Sequence, residues 1–142
     1  VLGGVEIPNN KGLMGHSDAD VLTHAIIDAL LGAAAMGDIG AHFPDTDPKW
    51  RGASSIGMLK EVVVKLNREG WEINNIDCTI VAQEPKLAPY ISQMGESLAA
   101  ALKMEIGRVS VKATTTEGMG PIGEGMGMEA YAVVSIVWNP VK

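Results

Sequence analysis

Apolar residues recur along this chain with two different periods. Over Val21, Leu22, Ala25, Ile26, Ala29 and Leu30 they return every three to four residues, the spacing of one face of a helix. Ser17, with Asp20 three residues on, has the form of a capping box; together these predict a helix over about 18–36, closed by Gly37. Similar punctuation predicts a second helix over 55–68 ending at Gly70, and a third over 90–102. The segment 72–83 is rich in Ile, Val and Thr and reads as a strand, as do 108–114 and 128–138. The opening VLGGVEIP adds a short strand, followed by the turn formers Asn9, Asn10 and Gly12. Its abrupt start at Val1 implies residues upstream. Four strands interleaved with helices predict an α+β fold, an α/β sandwich whose mixed sheet carries its helices on one face.

At 142 residues and 46% hydrophobic content the chain supports one core, so 1–142 is expected to be a single domain. The longest apolar run, Ala29 to Met36, is interrupted by Gly32 and is too short to cross a bilayer. The one cysteine, Cys78, excludes an intrachain disulfide and suits a reducing compartment. A net charge of −6 argues against a general nucleic-acid binder, which needs a basic surface. A soluble protein with neither nucleic-acid nor membrane partner is expected, and any phosphorylated ligand would need local help.

The densest candidate chemistry is GHSDADVLTHAIIDA. Asp20, His24 and Asp28 are four residues apart, a histidine between two carboxylates, as a metal-bound imidazole with outer-shell acceptors would be. A solvated polar face with ordinary i, i+4 pairs has the same spacing. His16 and Ser17 stand at the predicted helix N-terminus, where free N–H groups attract anions, while Asp18 and Asp20 would demand a cation for a phosphate to rest there. Ser17 as a simple helix cap is the alternative, and the two readings are compatible because capping and ligand binding use different donors. His42, Asp45 and Asp47 in HFPDTD admit a second metal motif, although acids beside a proline more often make turns. The run Thr114, Thr115, Thr116, Glu117 supplies hydroxyls for phosphate oxygens and a carboxylate for a hard cation, and is also ordinary strand sequence.

Taken in order, LGGVEIP, GHSDADVLTHAIIDALLGAAAMGDIG, FPDTDP, VAQEPKLAP and VKATTTEG resemble the 2-C-methyl-D-erythritol 2,4-cyclodiphosphate synthase family. The resemblance implies a homotrimer with active sites between subunits, in a bacterial cytoplasm or a plastid. The implied reaction is cyclisation of 4-diphosphocytidyl-2-C-methyl-D-erythritol 2-phosphate with loss of CMP, assisted by Zn²⁺ and by Mg²⁺ or Mn²⁺. His24 would ligate zinc, Glu117 the second ion, and His16 and Thr115 would stabilise the transition state. His16, Ser17, Asp38, Ile39, Gly40, Phe43, Pro44, Asp45, Thr46 and Asp47 would meet the erythritol and phosphate end. From a neighbouring subunit, Ala82, Gln83, Glu84, Pro85, Lys86, Leu87 and Ala88 together with Thr114, Thr115, Thr116 and Glu117 would hold the cytidine and diphosphate. Two features depart from the family pattern. The Asp-x-His pair that completes the zinc site would lie upstream of Val1, and Pro121 and Glu124 stand where a phenylalanine and a substrate-binding arginine are expected. A trimeric binder of cytidine nucleotide or isoprenoid diphosphate, without turnover, is the second reading, and a zinc-dependent phosphohydrolase the third.

Overall fold

The apolar periods settle into three long helices, and the strand-forming segments into one small sheet. The computed structural model describes residues 1–8, 20–44, 46–48, 54–123 and 127–140. Helix α1 spans Val21–Ala33, α2 is a single turn at Ile39–His42, and α3 spans Ser55–Arg68. Strand β1, Trp71–Ala82, leads through a 3₁₀ turn at Ala88–Tyr90 into α4, Ile91–Leu102. Strand β2, Val109–Thr114, the short α5, Gly120–Gly123, and β3, Met128–Trp138, follow. The sheet order is β2-β1-β3, with β2 parallel and β3 antiparallel to the central strand.

One sheet face is covered and the other is bare. Ile76, Cys78 and Ile80 of β1 are buried beneath Leu22, Ile26, Ile27 and Leu30 of α1, with Leu59, Val62 and Leu66 of α3 and Met94 and Leu98 of α4 completing the core. Each such side chain contributes about 1.5–3 kcal/mol by leaving water. The alternation is rephased once. Ile73 pairs with Ile136 but Asn75 pairs with Ser135, so Asn74 is the extra residue of a bulge. That insertion lets Ile73 and Ile76, three apart, both face inward. On the bare face Val133 and Tyr131 remain 72% and 59% exposed, opposite Asp77 and Thr79 of β1.

Cys78 lies in the covered layer and donates through Sγ to the Ser110 carbonyl at 3.3 Å. Burial pushes its thiol up to about 12, Asp77 adding to the effect and Lys112 opposing it. Its chemistry is that of a small core residue.

Three sequence expectations are corrected. The sheet has three strands among the described residues, not four, because the opening segment folds back on itself: Leu2 and Val5 exchange N–H···O=C bonds of 2.8 and 2.9 Å around Gly3 and Gly4, both at positive φ. Two glycines at these positions favour a tight turn over a continuing strand. Helix α1 is also shorter than 18–36. Asp20 is its N-cap, accepting from Thr23 N at 3.0 Å, and Ser17 lies outside the described residues. At the other end the helix closes at Ala34 rather than at Gly37: Ala35 is the first residue at positive φ, with Ala35 N bonded to Gly32 O and Met36 N to Leu31 O, and Gly37, also at positive φ, lies beyond it. The long loop after α1, expected to lack regular structure, contains α2.

The Asp20 carboxylate is fully buried and ties three segments together. Its Oδ1 accepts from Gly3 N at 2.9 Å, and its Oδ2 from Gly4 N at 3.0 Å, Thr23 Oγ1 at 2.7 Å and Ser55 Oγ at 2.7 Å. The N-terminal turn, the start of α1 and the start of α3 therefore share one acceptor. Gly4 has no room for a side chain, since a Cβ there would stand 2.5 Å from Ser97 Oγ. Asp20→Ala strands buried donors and is expected to lower unfolding free energy by about 3 kcal/mol in urea titration. A loss below about 1 kcal/mol would show that the carboxylate does not hold these segments.

Candidate active site

The C-terminal ends of β1 and β2 lie side by side, Val81 paired with Thr114, so the segments that follow them share one edge of the sheet. They form a cleft of about 340 Å³ whose walls are Ala82, Gln83, Pro85, Lys86, Leu87 and Ala88 on one side and Ala113, Thr114 and Thr115 on the other, with Ile91 at the α4 end. Two segments some thirty residues apart in the chain, which share no local sequence signal, thus meet at one cleft. Lys86 is exposed at this cleft, and Glu84 precedes Pro85 through a cis peptide.

Beyond β2 the chain makes a tight turn. Thr115 Oγ1 accepts from Glu117 N at 3.1 Å, which leaves its hydroxyl proton for an acceptor outside the turn. Thr116 Oγ1 donates to Met119 O at 2.6 Å, so its proton is committed to the turn itself. Gly118 N donates to Gln83 Oε1 at 3.2 Å and locks the turn to the segment after β1. Glu117 sits at φ 56°, a left-handed conformation disfavoured for a residue with a side chain, and its exposed carboxylate is free of the sheet. A Cβ at Gly123 would fall 2.2 Å from Gly118 C, so α5 packs directly on this turn.

The other predicted residues gather around α2. Asp38 is its N-cap, accepting from Ala41 N at 2.9 Å, and Asp28 Oδ1 accepts from Ile39 N at 3.2 Å, so α1 holds the start of the turn. Phe43 is buried, while Ile39, Gly40, Pro44 and Thr46 lie nearer the surface, and Asp47 N bonds to Pro44 O at 3.0 Å. His24 is half-buried in the first turn of α1. His16, Ser17, Asp45 and Glu124 lie outside the described residues. Pro121 is in α5.

Asp20 does not flank His24 as an outer-shell partner. It precedes the helix and its oxygens face the N-terminal turn and Ser55. The second metal motif also dissolves, because His42 uses Nε2 on Met36 O at 2.7 Å and Nδ1 on Lys65 Nζ at 3.1 Å. Among the described residues no group of three His, Cys, Asp or Glu side chains is placed to hold a metal ion. Among the described residues neither His24 nor any of 38–47 lines the 82–115 cleft. Lys65, which supports α2, escaped the sequence reading: it lies inside an amphipathic helix with no nearby motif.

Known proteins share this arrangement. The YgbB family profile matches residues 1–137. The 2-C-methyl-D-erythritol 2,4-cyclodiphosphate synthase of Syntrophomonas wolfei is 60% identical over 136 residues, covering 96% of this chain and 87% of that protein. That of Desulfitobacterium hafniense is 58% identical over 137 residues, with 96% and 87% covered. Among solved structures, the bifunctional IspDF of Campylobacter jejuni superposes with a TM-score of 0.92 at 42% identity, over 100% of this chain and 39% of that one. A 2C-methyl-D-erythritol-2,4-cyclodiphosphate synthase in a CDP-bound form superposes with a TM-score of 0.88 at 35% identity, over 96% and 89%. With its fold and most of its length shared in this way, the chain belongs to the YgbB family, that of the 2-C-methyl-D-erythritol 2,4-cyclodiphosphate synthases.

Proposed function

We propose that this chain is a phosphorus-oxygen lyase that converts 4-diphosphocytidyl-2-C-methyl-D-erythritol 2-phosphate to 2-C-methyl-D-erythritol 2,4-cyclodiphosphate and CMP, in non-mevalonate isoprenoid synthesis. The observation that carries the reading is the cleft between 82–88 and 113–115, in a chain whose fold superposes on that of a synthase described in a CDP-bound form. In the reaction an oxygen of the 2-phosphate attacks the β-phosphorus as the bond from that phosphorus to the oxygen of CMP breaks. No protein nucleophile is needed, because the attacking oxygen is already anionic near neutral pH. The barrier lies in bringing two anions together and in stabilising charge on the five-coordinate phosphorus.

The chain's own groups answer both needs. The Thr115 hydroxyl, its oxygen fixed by Glu117 N, is oriented to donate to a phosphate oxygen, and Lys86 supplies a positive charge at the cleft rim. Leu87 and Ala88 offer an apolar wall to a base, and backbone groups of 82–88 offer polar partners. Thr114 and Thr116 shape the turn, the latter by its bond to Met119 O. Asp38, Ile39, Gly40 and Phe43 to Asp47 would receive the erythritol end, with His16 and Ser17 as further phosphate contacts. Glu117, an exposed oxygen donor, fits a Mg²⁺ or Mn²⁺ ion that would neutralise diphosphate charge. Zinc is a different case. The described residues supply His24 alone, short of the three protein ligands of a catalytic zinc site, so no step is assigned to it.

A homotrimer follows from the same reading. Among the described residues none of the α2 group lines the cleft, and a neighbouring copy would join the two. The bare sheet face, with Val133, Tyr131 and Val137 exposed, gives the copies an apolar surface to share. No helix among the described residues is long and apolar enough to cross a membrane, and bacterial relatives are consistent with a cytoplasmic place in a single-domain form.

With Mg²⁺ and Zn²⁺ supplied, phosphorus NMR of the cytidylylated substrate is expected to show CMP and the cyclic diphosphate, and Glu117→Gln to slow their formation by about 100-fold. CMP with an open-chain bisphosphate would instead indicate hydrolysis, and nucleotide binding without turnover a binding protein. Val133→Asp, which buries a charge at the shared face, is expected to shift the sedimenting species from trimer to monomer. Unchanged sedimentation would place the interface elsewhere.

A further inference from the structure

Helix α2 is a single turn, too short to hold itself, since its few internal bonds do not offset the cost of nucleation. Its position must be imposed from outside. Asp28 does so at the start, where it accepts from Ile39 N. At the other end His42 is gripped from two sides: Nε2 lies 2.7 Å from Met36 O and Nδ1 3.1 Å from Lys65 Nζ. A carbonyl only accepts and an ammonium only donates, so Nε2 carries the hydrogen and Nδ1 is bare. The same ammonium lies 5.3 Å from the centroid of the Phe43 ring, within cation–π range. Phe43 is itself buried in the core. One lysine of α3 thus holds two consecutive residues at the point where α2 passes into Pro44.

We propose that Lys65 is a positioning residue for the substrate. Through Nδ1 of His42 and the ring of Phe43 it fixes where the 38–47 segment sits, and so sets the affinity for the erythritol phosphate end without touching it. The inference rests on the reading that 38–47 receives that end. Lys65 is half-buried on a helix of fourteen residues whose core face is Leu59, Val62, Val63 and Leu66, so its replacement leaves α3 itself intact.

The test compares steady-state cyclisation by wild type, Lys65→Met, His42→Leu and His42→Gln, with thermal midpoints to confirm folding. Lys65→Met and His42→Leu are expected to raise KM five- to twenty-fold with kcat within two-fold of wild type. His42→Gln restores an amide N–H for Met36 O and an amide oxygen for Lys65, and is expected to keep KM within about two-fold. A merely structural role would move the midpoints and spare this KM pattern. Wild-type KM in Lys65→Met, or equal damage in His42→Gln and His42→Leu, would overturn the inference. Should wild type make no cyclic product, the assigned reaction fails on its own account. Calorimetric binding of the same substrate then decides the present point, an unchanged Kd in Lys65→Met overturning it and a five-fold weaker one upholding it.

Discussion

A single buried carboxylate organises this fold. Asp20 accepts from the N-terminal turn, from the first turn of α1 and from Ser55 at the start of α3. An ionised carboxylate has room for about four such bonds, so this one is saturated, and its desolvation is offset only while all its donors stay in place. The consequence is positional. With α1 and α3 starting from one point, both run over the same face of β1, and α2 hangs between them.

The proposed nucleotide cleft opens at one end of the sheet. The cleft follows the ends of two parallel strands, a common location for ligands in sheets of this kind because the backbone there turns outward. Short-range bonds then build its walls: Glu117 N on Thr115 Oγ1, Thr116 Oγ1 on Met119 O and Gly118 N on Gln83 Oε1. The positive φ of Glu117 costs on the order of 1 kcal/mol or more, which these bonds and the packing of Gly123 offset. On the proposed reading the acidic chain offers an anion a lysine, hydroxyls and backbone donors, and Glu117 would act through a cation.

Much of this was legible in the chain because local pattern and tertiary role agree. The period of α3 and the Ile, Val and Thr content of β1 fix those elements to within a residue or two. The failures have physical causes. Spacing alone cannot distinguish an N-cap from a helical residue, so Asp20 looked like a partner for His24 when it faces the other way. Gly3 and Gly4 look permissive inside an apolar run, yet with Asp20 to receive their N–H groups they turn the chain back. The Lys65 and His42 contact spans 23 residues and joins types with no usual affinity, so nothing local announces it. Residue chemistry alone points to Thr114–Glu117 and to the acids of HFPDTD, whereas the pairing of 114–117 with 82–88 comes from the family resemblance and from no feature of spacing.

The central claim is that one chain's 38–47 segment and another's 115–117 turn complete each other's site. Subunit mixing tests it most directly. Chains carrying Asp38→Ala and chains carrying Thr115→Ala, each nearly inactive alone, are dissociated, mixed and reassembled, and CMP release is measured. Shared sites predict that the mixture regains a substantial fraction of wild-type activity, because some interfaces then contain two unaltered halves. A mixture no more active than its separate components would contradict the account.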